Sequence, residues 1–223
     1  MNNYIIATSK KWFLENNKKS FTNKFFLINK QKDLNIKLLS KLKPKYIFFP
    51  HWSHIVPAKI LNEFNCICFH TSNLPFGRGG SPIQNLIKRK IYSTYVCAIK
   101  MTNVLDGGPI YCKKKIKLTG SLDNIFMKLS KKVMQMMLFI LKNNPKPKIQ
   151  KGKKLYFKRL KPKDSKINTK EKLTDIYDKI RMLDHKEYPN AFLKSGKYTF
   201  LFRKALKKKN KIISEVVIKP YKN

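Results

Sequence analysis

The chain has 223 residues, of which 42% are apolar, and a formal net charge of +38 at pH 7. This length allows one sizeable core, or one core with a small appendage, and excludes two large domains. No apolar stretch approaches the roughly 18 residues that a membrane-spanning helix needs, so no membrane association is expected.

The positive charge has two interpretations. A surface this basic attracts polyanions such as tRNA or DNA through long-range attraction and counterion release. However, only five of the 50 basic residues are Arg, which is the better residue for bidentate phosphate and base contacts. The excess of Lys over Arg therefore favours codon composition of the genome, and not selection for nucleic-acid binding, as the cause of the charge. tRNA is kept as an alternative partner.

Strands and helices alternate along the first 145 residues. Runs of β-branched and aromatic residues predict strands at 4–7, 25–28, 46–49, 66–69, 95–101 and 110–116. Apolar spacing predicts helices within 31–42, at 58–63, at 82–89 and from about 121 to 141. This order predicts an α/β fold with a Rossmann-like, mostly parallel sheet and helices on both of its faces.

A lysine-rich segment with two prolines, residues 146–170, predicts a connector after this 1–145 domain. A helix at 171–183 and strands near 197–203 and 211–218 then predict a small C-terminal α+β subdomain, 171–223. The first twenty residues lack the features of a secretory signal, which favours a cytoplasmic protein. The four cysteines lie in apolar, strand-like runs, as expected of reduced and buried thiols.

Polar residues follow three of the predicted strands. They are residues 50–54 (PHWSH), residues 70–72 (HTS) and residues 106–108 (DGG). Ligands bind beyond the carboxyl ends of strands in such sheets, so these residues are candidates for a site. A neutral His can act as a general base or a hydrogen-bond donor, and a nearby Asp would orient it. Taken singly, each is more often structural, since Asp-Gly-Gly is an ordinary turn sequence.

A metal site is a weaker interpretation of the same region. Cys66, Cys68 and His70 alternate along one strand and therefore share a face, as thiolate and imidazole ligands could. Metal sites rarely take three ligands from one buried strand, so no metal is expected. Cys68 is also a poor candidate nucleophile because it lies within the strand. The sequence contains no phosphate loop, dinucleotide fingerprint or zincin motif.

Two segments carry a resemblance to a known family. They are HTSNLPFGRGGSPIQNLI at 70–87 and MTNVLDGGPIY at 101–111. They resemble the formyltransferase family that uses 10-formyltetrahydrofolate, in the branch that contains methionyl-tRNA formyltransferase and sugar N-formyltransferases. A weaker similarity covers IRMLDHKEYPNAFL at 180–193. The matching residues of the two main segments are His70, Ser72, Leu74, Pro75, Arg78, Gly79, Pro82, Ile83, Leu105, Asp106 and Gly108.

The resemblance implies a formyltransferase fold, with residues 1–145 as the catalytic domain, and transfer of a formyl group from 10-formyltetrahydrofolate to a primary amine. It implies that His70 polarises the formyl oxygen or relays a proton, with Asp106 as its charged partner. It also implies a folate-binding region made of Trp52, Ser53, Leu74, Pro75, Gly79 and Gly80.

One position departs from the family pattern. The family normally places a catalytic Asn two residues before the His, where this chain has Cys68. A thiol is a weak donor, and the loss of one oxyanion donor can cost on the order of 10² to 10³ in rate. Ser72 or Asn73 could replace the missing amide, so Ser72 is included among the catalytic candidates. We expect an active enzyme with a rearranged oxyanion site, and a weakened enzyme is the alternative.

The resemblance leaves the amine acceptor open. The short C-terminal segment favours a small amine, and a nucleotide-linked amino sugar is the expected substrate. Methionyl-tRNA is the alternative, supported by the charge and by the basic connector. A third alternative is a basic nucleic-acid-binding protein without catalytic activity on a degenerate formyltransferase scaffold.

Overall fold

The protein is described by a computed structural model that covers residues 4–18, 21 and 25–221. Two compact units form within it. The first unit comprises residues 1–79, 94–116 and 127–156, and the second comprises 80–93, 117–126 and 157–223. The boundaries expected at residues 145 and 170 stay a prediction. No helix in the described ranges has the length and apolar character needed to cross a membrane.

The elements follow the predicted alternation closely. The strands are β1 Tyr4–Ala7, β2 Phe25–Ile28, β3 Tyr46–Phe49, β4 Cys66–His70, β5 Phe76–Gly79, β6 Ser93–Lys100, β7 Ile110–Lys117, β8 Leu155–Phe157, β9 Ala191–Ser195, β10 Tyr198–Lys207 and β11 Ile212–Pro220. The helices are α1 Lys11–Asn16, α2 Ile36–Leu42, α3 Ala58–Glu63, α4 Pro82–Lys88, α5 Leu122–Asn143 and α6 Leu173–Arg181.

The central sheet has the strand order β2-β1-β3-β4-β6-β7. Its β2-β1, β1-β3 and β3-β4 pairs are parallel, whereas β4 and β6 are antiparallel. All four residues of β3 are buried. Successive strand side chains point to opposite faces, so both faces of the sheet are covered at β3. The predicted α/β fold with a mostly parallel sheet is confirmed.

The direction of β6 places the next loop where the sequence did not predict it. Lys100, at the end of β6, pairs with Ile67, and the Met101 amide donates to the Cys66 carbonyl. The chain therefore leaves β6 beside the amino end of β4. The loop of residues 101–109 therefore starts at the sheet edge opposite to His70. Asp106 does lie near His70, but the expected reason, that both residues follow strands ending at the same edge, is wrong.

The second unit contains α6 and an antiparallel sheet with the order β11-β10-β9, which confirms the predicted α+β character of the C-terminal segment. The buried Arg181 guanidinium donates to Asp178 Oδ1 at 2.7 Å and to the carbonyls of Leu118 and Gly120 at 2.8 and 2.9 Å. Asp178 also accepts from Lys90 Nζ. A fully buried charge must be paired, and these contacts provide the pairing.

Four short elements were not predicted from the sequence pattern, namely α1, β5, β8 and β9. β5 shows the physical reason. Its sequence, FGRG, has no apolar alternation, and both glycines adopt left-handed backbone, with φ of 80° at Gly77 and 101° at Gly79. Such a strand is defined by its pairing with another segment, here β8, and leaves no periodic signal in its own residues.

Candidate active site

The loop after β3 lies at the carboxyl edge of the parallel strands. The Ser9 hydroxyl, which follows β1, is 3.2 Å from the His51 carbonyl and 3.0 Å from Ser53 Oγ. The His51 ring packs 4.6 Å from the Trp12 ring, centroid to centroid. Burial, with a smaller effect of the Lys10 charge, lowers the pKa of His51 to about 3. His51 is therefore neutral at physiological pH.

Trp52 combines an apolar contact with an available donor. Its ring packs edge-on against Phe49 at 6.0 Å and against His54 at 5.2 Å, and it contacts the core cluster that includes Ile47 and Ile60. Its indole Nε1 is buried and has no hydrogen-bond partner within the described residues. An indole N–H usually finds an acceptor when it is buried, so this donor is suited to a ligand that brings one.

His70 and Asp106 are brought together, as the sequence predicted. His70 is 7% exposed, and its Nδ1 lies 3.4 Å from Asp106 Oδ2. Its Nε2 lies 2.7 Å from the Gly77 carbonyl oxygen. Both ring nitrogens thus face acceptors. A neutral imidazole carries one N–H and can satisfy only one of them, whereas an imidazolium donates to both.

The Asp106 loop is fixed by close contacts. Asp106 has a left-handed φ of 49°, and its Oδ2 accepts from the Gly79 amide at 2.9 Å. A Cβ added at Gly108 would lie 1.8 Å from the Lys100 carbonyl oxygen. Only glycine permits that approach of the two backbones. Gly79 thus binds the catalytic candidate Asp106, which is a different contact from the folate contact expected of it.

Cys68 lies beside this pair. It contacts two apolar clusters, one that includes Ile47 and one formed by Leu74, Cys97 and Ile99. Burial raises the pKa of the Cys68 thiol above its ordinary value, and the charge of Asp106 raises it further. The thiol is therefore protonated at neutral pH, which argues against a thiolate nucleophile or metal ligand. Within the described residues no cluster of three His, Cys, Asp or Glu side chains could hold a metal ion.

The two candidate replacements for the missing amide lie in different environments. Ser72 is 0% exposed, and its hydroxyl has no partner within the described part of the chain. Asn73 is exposed, and its Oδ1 accepts from Lys113 Nζ at 2.9 Å. Its amide nitrogen is thereby oriented by Lys113, a residue that the sequence did not single out.

The remaining folate-binding candidates separate into two groups. Leu74 and Pro75 are buried, and the Leu74 carbonyl accepts from Lys113 Nζ at 2.9 Å, so the turn is anchored to β7. Gly80 belongs to the second unit, where an added Cβ would lie 2.5 Å from Arg159 Cβ. The absence of a side chain at Gly80 is explained by this packing.

Sequence reasoning missed Gln150, which lies inside the basic connector. Its side chain contacts Arg78 and the backbone of Asp106 and Gly108. No local pattern identifies it, because one glutamine among lysines has no periodic or motif signal. Arg78 was noticed as a match to the family, but no role was assigned to it.

Comparison with known families gives two matches. The model described as "Formyl transferase" matches residues 10–137, which is more than half of the chain and includes His70 and Asp106. The chain belongs to the formyl transferase family. A second model, "Methionyl-tRNA formyltransferase, C-terminal domain", matches residues 162–219 of this formyl transferase.

The relatives of this formyl transferase include methionyl-tRNA formyltransferases. The structure of that enzyme from Clostridium thermocellum is 41% identical, covers 99% of this chain and 100% of that chain, and superposes with a TM-score of 0.94. The methionyl-tRNA formyltransferase of Malacoplasma penetrans is 29% identical over 197 residues, covering 84% of this chain and 59% of the relative. The chain therefore spans less than two thirds of the length of this curated relative.

More distant structures share the fold alone. HypX from Aquifex aeolicus, solved in complex with tetrahydrofolic acid, is 12% identical with a TM-score of 0.75, and it covers 91% of this chain and 37% of its own. A sugar N-formyltransferase from Shewanella sp. is 18% identical with a TM-score of 0.65, and it covers 95% of both chains.

Proposed function

We propose that this formyl transferase transfers a formyl group from 10-formyltetrahydrofolate to the amine of methionyl-tRNA. The observation that carries the proposal is the 41% identity to the Clostridium thermocellum enzyme over 99% of the chain. The match of residues 162–219 to a C-terminal domain of methionyl-tRNA formyltransferases adds to it. A net charge of +38 suits a polyanionic substrate through counterion release.

The residues present fit the folate co-substrate. The buried indole N–H of Trp52, in the loop after β3, has no hydrogen-bond partner within the described residues, and a folate acceptor that displaces the neighbouring side chains would satisfy it. The anchored turn at Leu74 and Pro75 supplies a fixed apolar surface and backbone groups. 10-Formyltetrahydrofolate supplies an activated formyl group on a folate nitrogen. The incoming amine displaces this nitrogen from the formyl carbon.

In this proposal His70 and Asp106 handle the proton that the attacking amine must lose. The neutral ring takes up the proton of the amine and returns it to the departing nitrogen, and the Asp106 carboxylate beside Nδ1 stabilises the imidazolium that forms in between. Proton relay is the role proposed for His70 because Asp106 stabilises the charge that it creates, and it requires Nε2 to exchange the Gly77 carbonyl for the substrate.

Stabilisation of the oxyanion is the weaker part of the proposed site. Cys68 occupies the position of the family's Asn and can offer only a weak S–H donor, and it stays protonated because burial raises the pKa of its thiol. We assign Cys68 this limited donor role. The buried Ser72 hydroxyl is the candidate that could strengthen it.

A nucleotide-linked amino sugar, which the sequence favoured as the acceptor, has support only from the shared fold of sugar N-formyltransferases at 18% identity. The two acceptors can be distinguished directly. Purified protein is incubated with 10-formyltetrahydrofolate and either methionyl-tRNA or a panel of nucleotide amino sugars, and the release of tetrahydrofolate is measured.

We expect release with methionyl-tRNA and loss of most of it in His70→Ala, whereas Leu27→Ala, at an exposed position on the edge strand β2, is the control that keeps its rate. Release with an amino sugar alone would replace the proposed acceptor. Tight, salt-dependent tRNA binding without any turnover, and unchanged in His70→Ala, would support the non-catalytic alternative instead.

A further inference from the structure

Residues 148–150 are tightly held within the first unit, although the sequence predicted a connector there. Lys148 and Ile110 exchange two backbone hydrogen bonds, of 2.7 and 2.8 Å. Ile110 begins β7, so this pairing fixes the segment against the sheet two residues before Gln150. The backbone at Gln150 is therefore positioned by regular pairing.

The Gln150 carboxamide uses both of its ends. Its Nε2 donates to the carbonyls of Asp106 and Gly108, each at 2.8 Å. Its Oε1 accepts from Arg78 Nη2 at 2.7 Å and from Arg78 Nε at 3.2 Å. One side chain thus makes four hydrogen bonds, two to the loop that carries Asp106 and two to Arg78 of β5.

Arg78 determines which end of the amide faces the loop. Arg78 is 4% exposed, and it also contacts Tyr156 Oη at 3.4 Å. A guanidinium has donors and no acceptor, so the amide oxygen of Gln150 must face it. The NH₂ group is then directed at the two loop carbonyls, and the orientation of the amide is specified by chemistry.

The loop needs such a restraint because Asp106 adopts a left-handed backbone conformation. This conformation costs an L-residue free energy and persists only where surrounding contacts maintain it. We propose that Gln150, oriented by Arg78, is a positioning residue that holds the Asp106 carboxylate at His70. Gln150 acts on the reaction through Asp106 and touches no reacting atom. This inference rests on the proposed formyl transfer, in which Asp106 supports the charge on His70.

The decisive variant is Gln150→Glu, which keeps the shape and the acceptor that faces Arg78 but removes the donor to both loop carbonyls. A displacement of a catalytic group by about 1 Å can cost on the order of 10²-fold in rate. We expect kcat to fall roughly tenfold to hundredfold, with KM for 10-formyltetrahydrofolate within about twofold of wild type. Gln150→Ala introduces no charge, and it should likewise lower kcat and leave KM nearly unchanged. Ile149→Ala, at an exposed neighbour, is the matched control and should change neither constant.

A second readout does not depend on turnover. Hydrogen exchange of the backbone amides of residues 104–108 and of Gly79 should be faster in Gln150→Glu than in wild type, with exchange in β1 and β3 unchanged. Turnover of Gln150→Glu and Gln150→Ala at more than half the wild-type kcat, with unaltered loop exchange, would overturn the inference. Faster loop exchange in Gln150→Glu, together with no turnover of the wild-type protein with any acceptor, would refute the proposed function and leave the positioning contact intact.

Discussion

Replacement of Asp106 by Asn tests the central electrostatic contact with little disturbance of the fold. Asn is nearly isosteric with Asp, tolerates the left-handed φ of 49° and keeps an oxygen for the Gly79 amide, which donates at 2.9 Å. What is lost is the negative charge 3.4 Å from His70 Nδ1. Stability should therefore be largely retained while the support for an imidazolium is removed.

The size of the effect follows from that distance. Two unit charges 3.4 Å apart interact by about 5 kcal/mol at an effective dielectric constant of about 20. Because both side chains keep some contact with solvent, we expect about 3 to 4 kcal/mol of this to appear in the barrier, or roughly 10² to 10³ in kcat.

The assay measures tetrahydrofolate release under saturating methionyl-tRNA, beside thermal unfolding of the same samples. The expected result is a fall in kcat of that size with nearly unchanged unfolding. If Asp106→Asn kept its kcat within about threefold of wild type, the Asp106 charge would have no part in catalysis, and the proton-relay account of His70 would be wrong.

Three further predictions concern other residues. Cys68→Asn should preserve or raise kcat, because an amide is a better oxyanion donor than a thiol, and a loss of more than about tenfold in steady-state turnover would contradict the role given to Cys68. His51 has a pKa of about 3 in the folded protein against 6.5 in the unfolded chain, so its contribution to stability is present above pH 6.5 and is lost as the pH falls towards 3. Urea unfolding between pH 7 and pH 4 should show a weaker pH dependence in His51→Asn than in wild type, and equal slopes would refute the assignment. Gly108→Ala should lower both unfolding temperature and kcat, since its Cβ would lie 1.8 Å from the Lys100 carbonyl oxygen, while Gly196→Ala, with no atom within 4 Å of its Cβ, should lose only a little stability and no activity. Equal effects of the two glycine changes would show that the close approach at Gly108 is unimportant.

The sequence was sufficient for the parts of the fold that have a periodic signal. Strands such as β3 are continuous apolar runs because both faces of the sheet are buried, and α5 follows an apolar stripe. Segments without a period were missed. β5, for example, is a glycine-containing stretch that pairs through its backbone groups. Because these groups do not depend on the side chains, the sequence of β5 carries no strand signal.

The candidate site was predicted in part, and partly for the wrong reason. The motif resemblance selected His70 and Asp106, which lie 3.4 Å apart. Strand direction would not have selected them, since β6 is antiparallel to β4 and the loop must return from the opposite edge. The contacts of Gln150 depend on a pairing between Lys148 and Ile110, which are far apart in the chain, and no sequence pattern reports such a pairing.

The pairing of Lys148 with Ile110 also bears on how this protein can be divided for experiments. A fragment that stops at residue 145 would contain the motif histidine and aspartate, yet it would lack the strand pairing and the carboxamide behind the aspartate loop. Arg78 would also lose its contacts with the Gln150 oxygen and the Tyr156 hydroxyl. A minimal catalytic fragment of this protein should therefore be extended at least to Tyr156.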